Sequence, residues 1–269
     1  MKYAVINDQR AEAIKGGKGT CPNCGSIVIA KCGVTRINHW SHNRKSNCDD
    51  WWEPETEWHR IWKNNYPIQW QEFSMRDEKT GEKHIADILT NNNLVIEFQH
   101  SHIDPKERAA RENFYSKMVW VVDGTRLKMD YPRFLKGIKS FKQIKKGISR
   151  LQYPEDYINS SWLDSQFPVV FDFLGLNSTN TVISDKLTLY CLFPIKIKGE
   201  AIIAEIDRNV FFKTTINGEW ISRSDKFISE LTQVKKETED QINSNQRNRE
   251  NRLLGEFFGR TVINQRKRF

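Results

Sequence analysis

The sequence predicts an α/β protein: a mixed sheet flanked by helices, with a small Cys/His module before it and an α+β extension after it. Four of the five cysteines fall within the first fifty residues. Helix and strand patterns alternate over residues 51–124, which is typical of a layered α/β unit. Strand-like runs return later in the chain. We therefore divide the sequence into residues 1–50, 51–150 and 151–269.

The composition is that of a folded protein with a real core. Of 269 residues, 38% are hydrophobic and 12% aromatic, which argues against global disorder. No run approaches the ~18 consecutive apolar residues of a membrane span. The N-terminal residues also lack the apolar stretch and cleavage site of a signal peptide. We expect a cytoplasmic protein without membrane contact.

In a reducing compartment, clustered cysteines indicate a metal site more often than disulfides. A pair of cysteines two residues apart is followed by a second His/Cys half-site, which is zinc-finger spacing. The predicted ligands of a structural Zn²⁺ are Cys21, Cys24, His42 and Cys48. His39 is the alternative to His42. Cys32, in an alternating apolar segment, is interpreted as a small buried hydrophobe.

The middle region reads as helix, three strands, helix and strand. Residues 53–66 carry Trp58, Ile61, Trp62 and Tyr66 at helical spacing. The predicted strands cover residues 68–73, 84–89, 94–98 and 119–122, with a turn at 91–93 and a helix from about residue 104 to 117.

Two carboxylates face each other across the predicted hairpin. If its turn centres on Asn92, Asp87 lies directly opposite Glu97, with Cβ atoms ~5 Å apart. Like charges at that distance destabilise a sheet unless a cation neutralises them, and Mg²⁺ or Mn²⁺ suits such a pair. Gln99 shares the face of Glu97. Acidic residues on an exposed strand face are the alternative interpretation.

Polar stripes on the two helices flank this hairpin. Glu55, His59 and Lys63 are spaced by four residues before it, and Arg111 and Tyr115 by four after it. His59 could relay a proton or touch phosphate, or it could simply pack beside the neighbouring tryptophans. Such stripes are also common on solvent-exposed faces.

Together these motifs resemble the competence protein CoiA-like family over residues 1–124. In chain order, the motifs that carry the resemblance are CPNC…HWSHNRKSNC…ETEWHRIWK…HIAD…EFQHS…RENFY…VWVV. The family's motif positions match Glu55, Thr56, His59, Lys63, Asp87, Glu97, Gln99, Ser101, Arg111 and Tyr115. Ile85 stands where the family often has a basic residue, and Gln99 stands where the wider superfamily usually has lysine.

The resemblance implies a restriction-endonuclease-like core of the PD-(D/E)XK type that hydrolyses DNA. Asp87 and Glu97 would hold Mg²⁺ or Mn²⁺, and the implied catalytic set is Asp87, Glu97, Gln99, Glu55, His59 and Lys63. Arg111 and Tyr115 would contact DNA. The implied setting is processing of incoming or foreign DNA in transformation, recombination or defence. A catalytically silent DNA-binding module and an RNA nuclease are the alternatives.

A basic segment follows the core. Residues 125–150 hold nine basic residues and one acidic residue, against 17 of each sign in residues 1–124. We predict a basic helix over residues 134–148 that binds a nucleic acid, with Lys142, Lys145 and Lys146 as contacts. A solvated helical face is the alternative.

The C-terminal region is less informative. Residues 187–193, 201–206 and 210–215 are predicted to be strands, with Asn217-Gly218 as a turn. From Ser224 the chain should be a solvated helix or a flexible tail. We expect that any homo-oligomer contact or protein partner would use this C-terminal region.

Neutralising Lys142, Lys145 and Lys146 together should weaken nucleic-acid binding for all sequences alike. Each lost phosphate contact should flatten the log–log salt dependence by about 0.7 to 0.9, because fewer counterions are released. Titrations at several salt concentrations measure this slope. An unchanged slope in the triple variant would mean that the segment is only a solvated face.

Overall fold

The computed structural model describes residues 1–34, 36–42, 48–49, 51, 54–78, 80–173 and 188–266. These residues form two β-sheets with helices packed against the larger one. Among them, no helix combines the length and the apolar character that a membrane crossing requires.

The N-terminal sheet is small and antiparallel, in the order β2-β1-β3-β4-β5. Its strands are β1 (Tyr3–Ile6), β2 (Gln9–Glu12), β3 (Lys18–Thr20), β4 (Ile27–Lys31) and β5 (His39–His42). Its core is compact, with Ala4, Val28 and Trp40 fully buried. A core of this size benefits from a metal site.

The larger sheet has nine strands in the order β10-β11-β14-β13-β12-β9-β8-β7-β6. The strands are β6 (Gln71–Arg76), β7 (Lys83–Leu89), β8 (Val95–Gln99), β9 (Met118–Asp123), β10 (Lys142–Lys145), β11 (Ile148–Leu151), β12 (Val169–Asp172), β13 (Thr188–Ile197) and β14 (Glu200–Asp207). The β8–β9 and β9–β12 pairs are parallel and the other pairs antiparallel. The predicted mixed α/β architecture is confirmed.

The described helices are α1 (Glu57–Lys63), α2 (Pro105–Tyr115), α3 (Asp130–Ile138), α4 (Ser160–Leu163), α5 (Arg208–Ile216) and α6 (Glu219–Arg266), with 3₁₀ turns at Ile68–Trp70 and Pro154–Asp156. Helix α1 begins with a reciprocal cap between Thr56 and His59. Helix α6 is largely exposed where its side chains are described, as the solvated-helix interpretation expects.

The hairpin has the predicted turn and register. Thr90 N donates to Leu94 O at 3.0 Å, and Asn93 has a positive φ of 59°. Leu89 pairs with Val95, and Ile88 with Ile96, which is the register of a turn centred on Asn92. Alternation then places every second residue on one face.

Two secondary-structure predictions are wrong. Residues 210–215 lie in helix α5, where Asp207 caps the amides of Asn209 and Val210 and Phe211 is fully buried. The segment 134–148 is also not one helix, because α3 ends at Ile138 and a β10–β11 hairpin follows. Gly147, at φ 74°, accommodates the tight turn of that hairpin.

The larger sheet continues through residue 150. Strands β12 to β14 belong to the predicted extension, yet β12 pairs directly with β9 of the predicted core. The predicted border at residue 150 therefore does not coincide with a break in the sheet. The extension completes the sheet that carries β8.

Glu72 joins the two sheets. Its carboxylate accepts the backbone amides of Lys2 at 2.7 Å and Tyr3 at 3.0 Å, and it lies 3.4 Å from Lys63 Nζ. Burial alone would raise the pKa of Glu72, but Lys63, the N-terminal ammonium group and the two amides lower it to about 2. Its backbone φ of 47° is unusual for a residue with a side chain. The ionised carboxylate therefore stabilises the fold.

Glu72→Gln should lower the free energy of unfolding at pH 7 by about 3 kcal/mol, which corresponds to a pKa of about 2 when folded against an ordinary 4.5. Because the folded pKa is depressed, this contribution is present above pH 4.5 and is lost as the pH falls towards 2. Denaturant unfolding at several pH values measures it. The exposed Glu78→Gln is the control, and equal stability losses in both variants would contradict the assignment.

Candidate active site and metal centre

A cavity of about 70 Å³ lies beside the β7–β8 hairpin. Its lining residues are Met1, Asp49, Trp51, Glu55, His59, Lys63, Glu72, Ile85, Asp87, Glu97, Phe98 and Arg111. Five of these are carboxylates and only two, Lys63 and Arg111, are permanently cationic. The cavity is therefore strongly acidic.

The backbone of the hairpin fixes the two predicted carboxylates. Asp87 N donates to Glu97 Oε1 at 3.1 Å, and Phe98 N donates to Asp87 Oδ2 at 2.9 Å. The backbone pairing of β7 with β8 extends only as far as Ile88 and Ile96. Beyond that point, these side-chain hydrogen bonds connect the two strands. The structure thus brings Asp87 and Glu97 together in one rigid arrangement.

Lys63 enters the cavity from the end of α1. Its Nζ lies 2.8 Å from Asp87 Oδ1, 3.4 Å from Glu72 Oε1 and 3.5 Å from Glu55 Oε1. Burial would lower the pKa of Lys63, but Asp87, Glu55 and Glu72 together raise it well above its usual range. Lys63 is therefore a fixed positive charge at neutral pH.

Glu97 is the least well neutralised carboxylate in the cavity. Burial and the nearby charge of Asp87 raise its pKa to about 8, although Arg111 Nη1, 3.1 Å from Glu97 Oε2, opposes the shift. Ionisation of Glu97 is therefore disfavoured in this arrangement. A further cation near Asp87 and Glu97 would favour the ionised form.

His59 connects α1 to the hairpin. Its Nδ1 accepts from Thr56 N at 3.2 Å, and its Nε2 donates to Phe98 O at 3.0 Å. These bonds agree with the packing interpretation. His59 lies in the cavity wall and orients the helix that carries Lys63.

Three other predicted site residues lie elsewhere than expected. Gln99 is buried outside the cavity lining, and its amide donates to Ser101 O and Oγ at 3.2 Å each. Arg111 and Tyr115, the predicted DNA contacts, are only 6% and 4% exposed. Arg111 instead bridges Glu97 and Glu107.

The predicted nucleic-acid lysines are exposed but do not line the cavity. Lys142 and Lys145 lie on β10, one edge of the nine-stranded sheet, whereas β6 forms the other edge. Lys146 is exposed in the adjoining turn. Lys142 also lies 3.9 Å from Glu200, whose negative charge offsets part of the local positive charge.

The four predicted zinc ligands form a cluster. The ligand atoms of Cys21, Cys24, His42 and Cys48 all lie within 4.8 Å of one another. Cys24 Sγ is 3.3 Å from His42 Nε2, and Cys21 Sγ is 3.6 Å from Cys48 Sγ. A Cys₃His set of this size fits a tetrahedral zinc ion. His39 is outside the cluster, with Nδ1 2.9 Å from Ile37 O.

The thiols of this cluster differ in acidity. Burial raises the pKa of Cys21, and it raises that of Cys48 to about 12. Burial also opposes ionisation of Cys24, but hydrogen bonds from Ser26 and His42 lower its pKa to about 6. Zinc binding must therefore release protons from Cys21 and Cys48. Cys32, 3.6 Å from Ala13 O, packs against the small core as predicted.

Sequence reasoning did not identify Asp49, Trp51 or Glu72, which also line the cavity. Glu72 and Trp51 stand in no recognisable motif. Asp49 directly follows the predicted ligand Cys48, and this adjacency was the available signal. Its Oδ2 accepts from Ile85 N at 2.8 Å, which places it in the cavity wall.

Comparison with known families bears on the N-terminal module. Residues 5–50 match the family model described as “Competence protein CoiA, N-terminal domain”. The matched region contains all four clustered ligands and ends before α1. No curated protein and no solved structure matches the chain. The CoiA-like resemblance is thus confirmed through the N-terminal module.

Freshly purified protein should contain about one equivalent of zinc. Cys21→Ser or Cys24→Ser should abolish it and unfold the N-terminal module, because metal binding is coupled to folding there. His39→Ala and Cys32→Ser are the matched controls and should retain zinc. Metal analysis of each variant measures this, and folded wild-type protein without zinc would contradict the assignment.

Proposed function

Because residues 5–50 carry the N-terminal domain of the CoiA-like competence family, we propose that this protein is a metal-dependent nuclease that hydrolyses DNA phosphodiester bonds. The family supports a role in competence and DNA uptake. The observation that carries the proposal is the convergence of Asp87, Glu97 and Lys63 on one acidic cavity.

The cavity fits a divalent cation by charge and by size. Its carboxylates outnumber its cationic side chains, and a cation beside Glu97 would offset the repulsion from Asp87 that raises its pKa. The volume of about 70 Å³ exceeds the ~10–15 Å³ that a single water requires. Asp87 and Glu97 would hold Mg²⁺ or Mn²⁺. When bound, the ion would activate water and balance developing charge.

The protein's own residues supply orientation and a fixed charge. Lys63 provides the positive charge that Gln99 lacks at the position where the superfamily usually has lysine. Arg111 keeps Glu97 in place, and Glu55 is a second carboxylate partner of Lys63, at 3.5 Å. Because His59 anchors α1 to the strand of Glu97, Lys63 and the carboxylates keep their spacing.

The order of elements supports a restriction-endonuclease-like core. Helix α1 is followed by the antiparallel strands β6, β7 and β8, then by α2 and by β9. Strand β9 pairs in parallel with β8, next to the proposed metal ligands. This is the order of elements that the sequence of the middle region predicts.

A catalytically silent DNA-binding module is the second candidate. It is favoured by the ion pairs within the cavity: Lys63 lies 2.8 Å from Asp87, and Arg111 lies 3.1 Å from Glu97. These cations could hold the fold together without any metal. In an active enzyme, the divalent ion must share both carboxylates with them.

Asp87→Asn and Glu97→Gln should each lower metal-dependent cleavage by about a hundredfold or more, because the charge that holds the ion is lost. Gln99→Ala should lower it less, since its amide lies outside the cavity. Cleavage of linear, circular and single-stranded DNA, and of RNA, is measured with Mg²⁺, Mn²⁺ or chelator. DNA binding and folding are measured in parallel.

Amides are preferable to alanine at these two positions. Truncating Asp87 or Glu97 would leave Lys63 or Arg111 buried with fewer partners, which costs stability. Glu78→Gln is the exposed control. Wild-type cleavage with unchanged metal dependence in Asp87→Asn would exclude this active site, and DNA binding without cleavage in the wild type would favour the silent module.

A further inference from the structure

We propose that the short stretch carrying Cys48, Asp49 and Trp51 couples the Cys/His metal centre to the carboxylate cavity, with Trp51 as a positioning residue for Arg111 and Glu97. Its catalytic consequence rests on the proposed function. The structural coupling between the two sites does not depend on the proposed function.

The first anchor of this stretch is the metal centre. Cys48 supplies one of the four clustered ligand atoms. Its carbonyl accepts from Asn23 Nδ2 at 2.9 Å, and Asn23 Oδ1 in turn accepts from Ser74 Oγ at 2.5 Å on β6. The metal centre is thus held against the edge of the larger sheet.

The second anchor is Asp49, the next residue. Its Oδ2 accepts from Ile85 N at 2.8 Å, and its Oδ1 accepts from Trp51 N at 3.0 Å and lies 2.9 Å from His84 Nδ1. Ile85 is two residues before Asp87 on the same strand, so both side chains face the cavity. Asp49 therefore ties the metal ligand to the strand of a proposed catalytic residue.

The third anchor is Trp51. Its ring stacks on His84 with centroids 3.2 Å apart and planes 8° apart. Its carbonyl accepts from Arg111 Nη2 at 2.6 Å, and the guanidinium lies 5.5 Å from the ring. The same guanidinium donates to Glu97 at 3.1 Å through Nη1. A continuous path thus runs from Cys48 to Glu97.

We expect zinc binding to order the contacts that run from Cys48 to Glu97. Cys48, Asp49 and Trp51 belong to neither sheet, and all three are half-buried. Their positions therefore depend on the anchors at each end. Zinc would join Cys48 to three ligands from other parts of the module, whereas thiol hydrogen bonds alone are weak. Loss of zinc should loosen Trp51, and with it one of the partners that hold Arg111.

Hydrogen exchange of backbone amides tests the link without any cleavage assay. After zinc removal from the full-length protein, the amides of Ile85 and Trp51 should exchange at least about tenfold faster, since both donate to Asp49. Val121, in the central strand β9, should be unchanged and reports on global unfolding. Cys32→Ser, which leaves the cluster intact, should behave as wild type. Faster exchange confined to residues 1–42 would overturn the proposal.

Two substitutions at Trp51 test positioning while zinc is bound. Trp51→Ala should keep its zinc and its DNA affinity but lose at least about tenfold in kcat, whereas Trp51→Phe, which can still stack on His84, should recover most of it. Wild-type kcat in zinc-loaded Trp51→Ala would overturn the positioning role. If the wild type cleaves nothing, the proposed function fails, and the exchange experiment alone decides the link.

Discussion

Lys63 is a buried cation whose partners come from separate parts of the chain. It contacts Glu55 just before its own helix, Glu72 at the start of the larger sheet and Asp87 in the hairpin. Desolvating such charges is costly, and several simultaneous partners offset that cost. This network therefore constrains how helix, hairpin and N-terminal module sit together.

The partners of Lys63 contact both the N-terminal module, which carries the Cys/His cluster, and the carboxylate cavity. Through Glu72, the network holds the amides of Lys2 and Tyr3, so the N-terminal module docks against the cavity wall. Through Asp87, it fixes one of the two carboxylates proposed to hold a divalent ion. In the proposed nuclease, this buried cation would supply the positive charge that Gln99 lacks.

The C-terminal extension contacts the helix that carries Lys63. Asp172, at the end of β12, accepts the indole N–H groups of Trp58 and Trp62 at 3.0 Å each. Both tryptophans lie on α1, so the extension helps to fix the helix that presents Lys63. Because β12 also pairs with β9, a protein ending near residue 150 would lose both supports.

Local sequence determined the features that depend on short-range geometry. The turn at residues 91–93 and the two-residue period of strands placed Asp87 opposite Glu97. The spacing of cysteines and histidines similarly predicted the clustered ligands, because a metal site is built from short loops. Tertiary structure decided the rest. Residues 210–215 have strand-like composition but form a helix that buries Phe211, and Arg111 points inward because Glu97 is buried beside it. Glu72 and Asp49 join the cavity through contacts with distant segments, which no local pattern encodes, since the free energy of burying a charge depends on what the whole fold places around it.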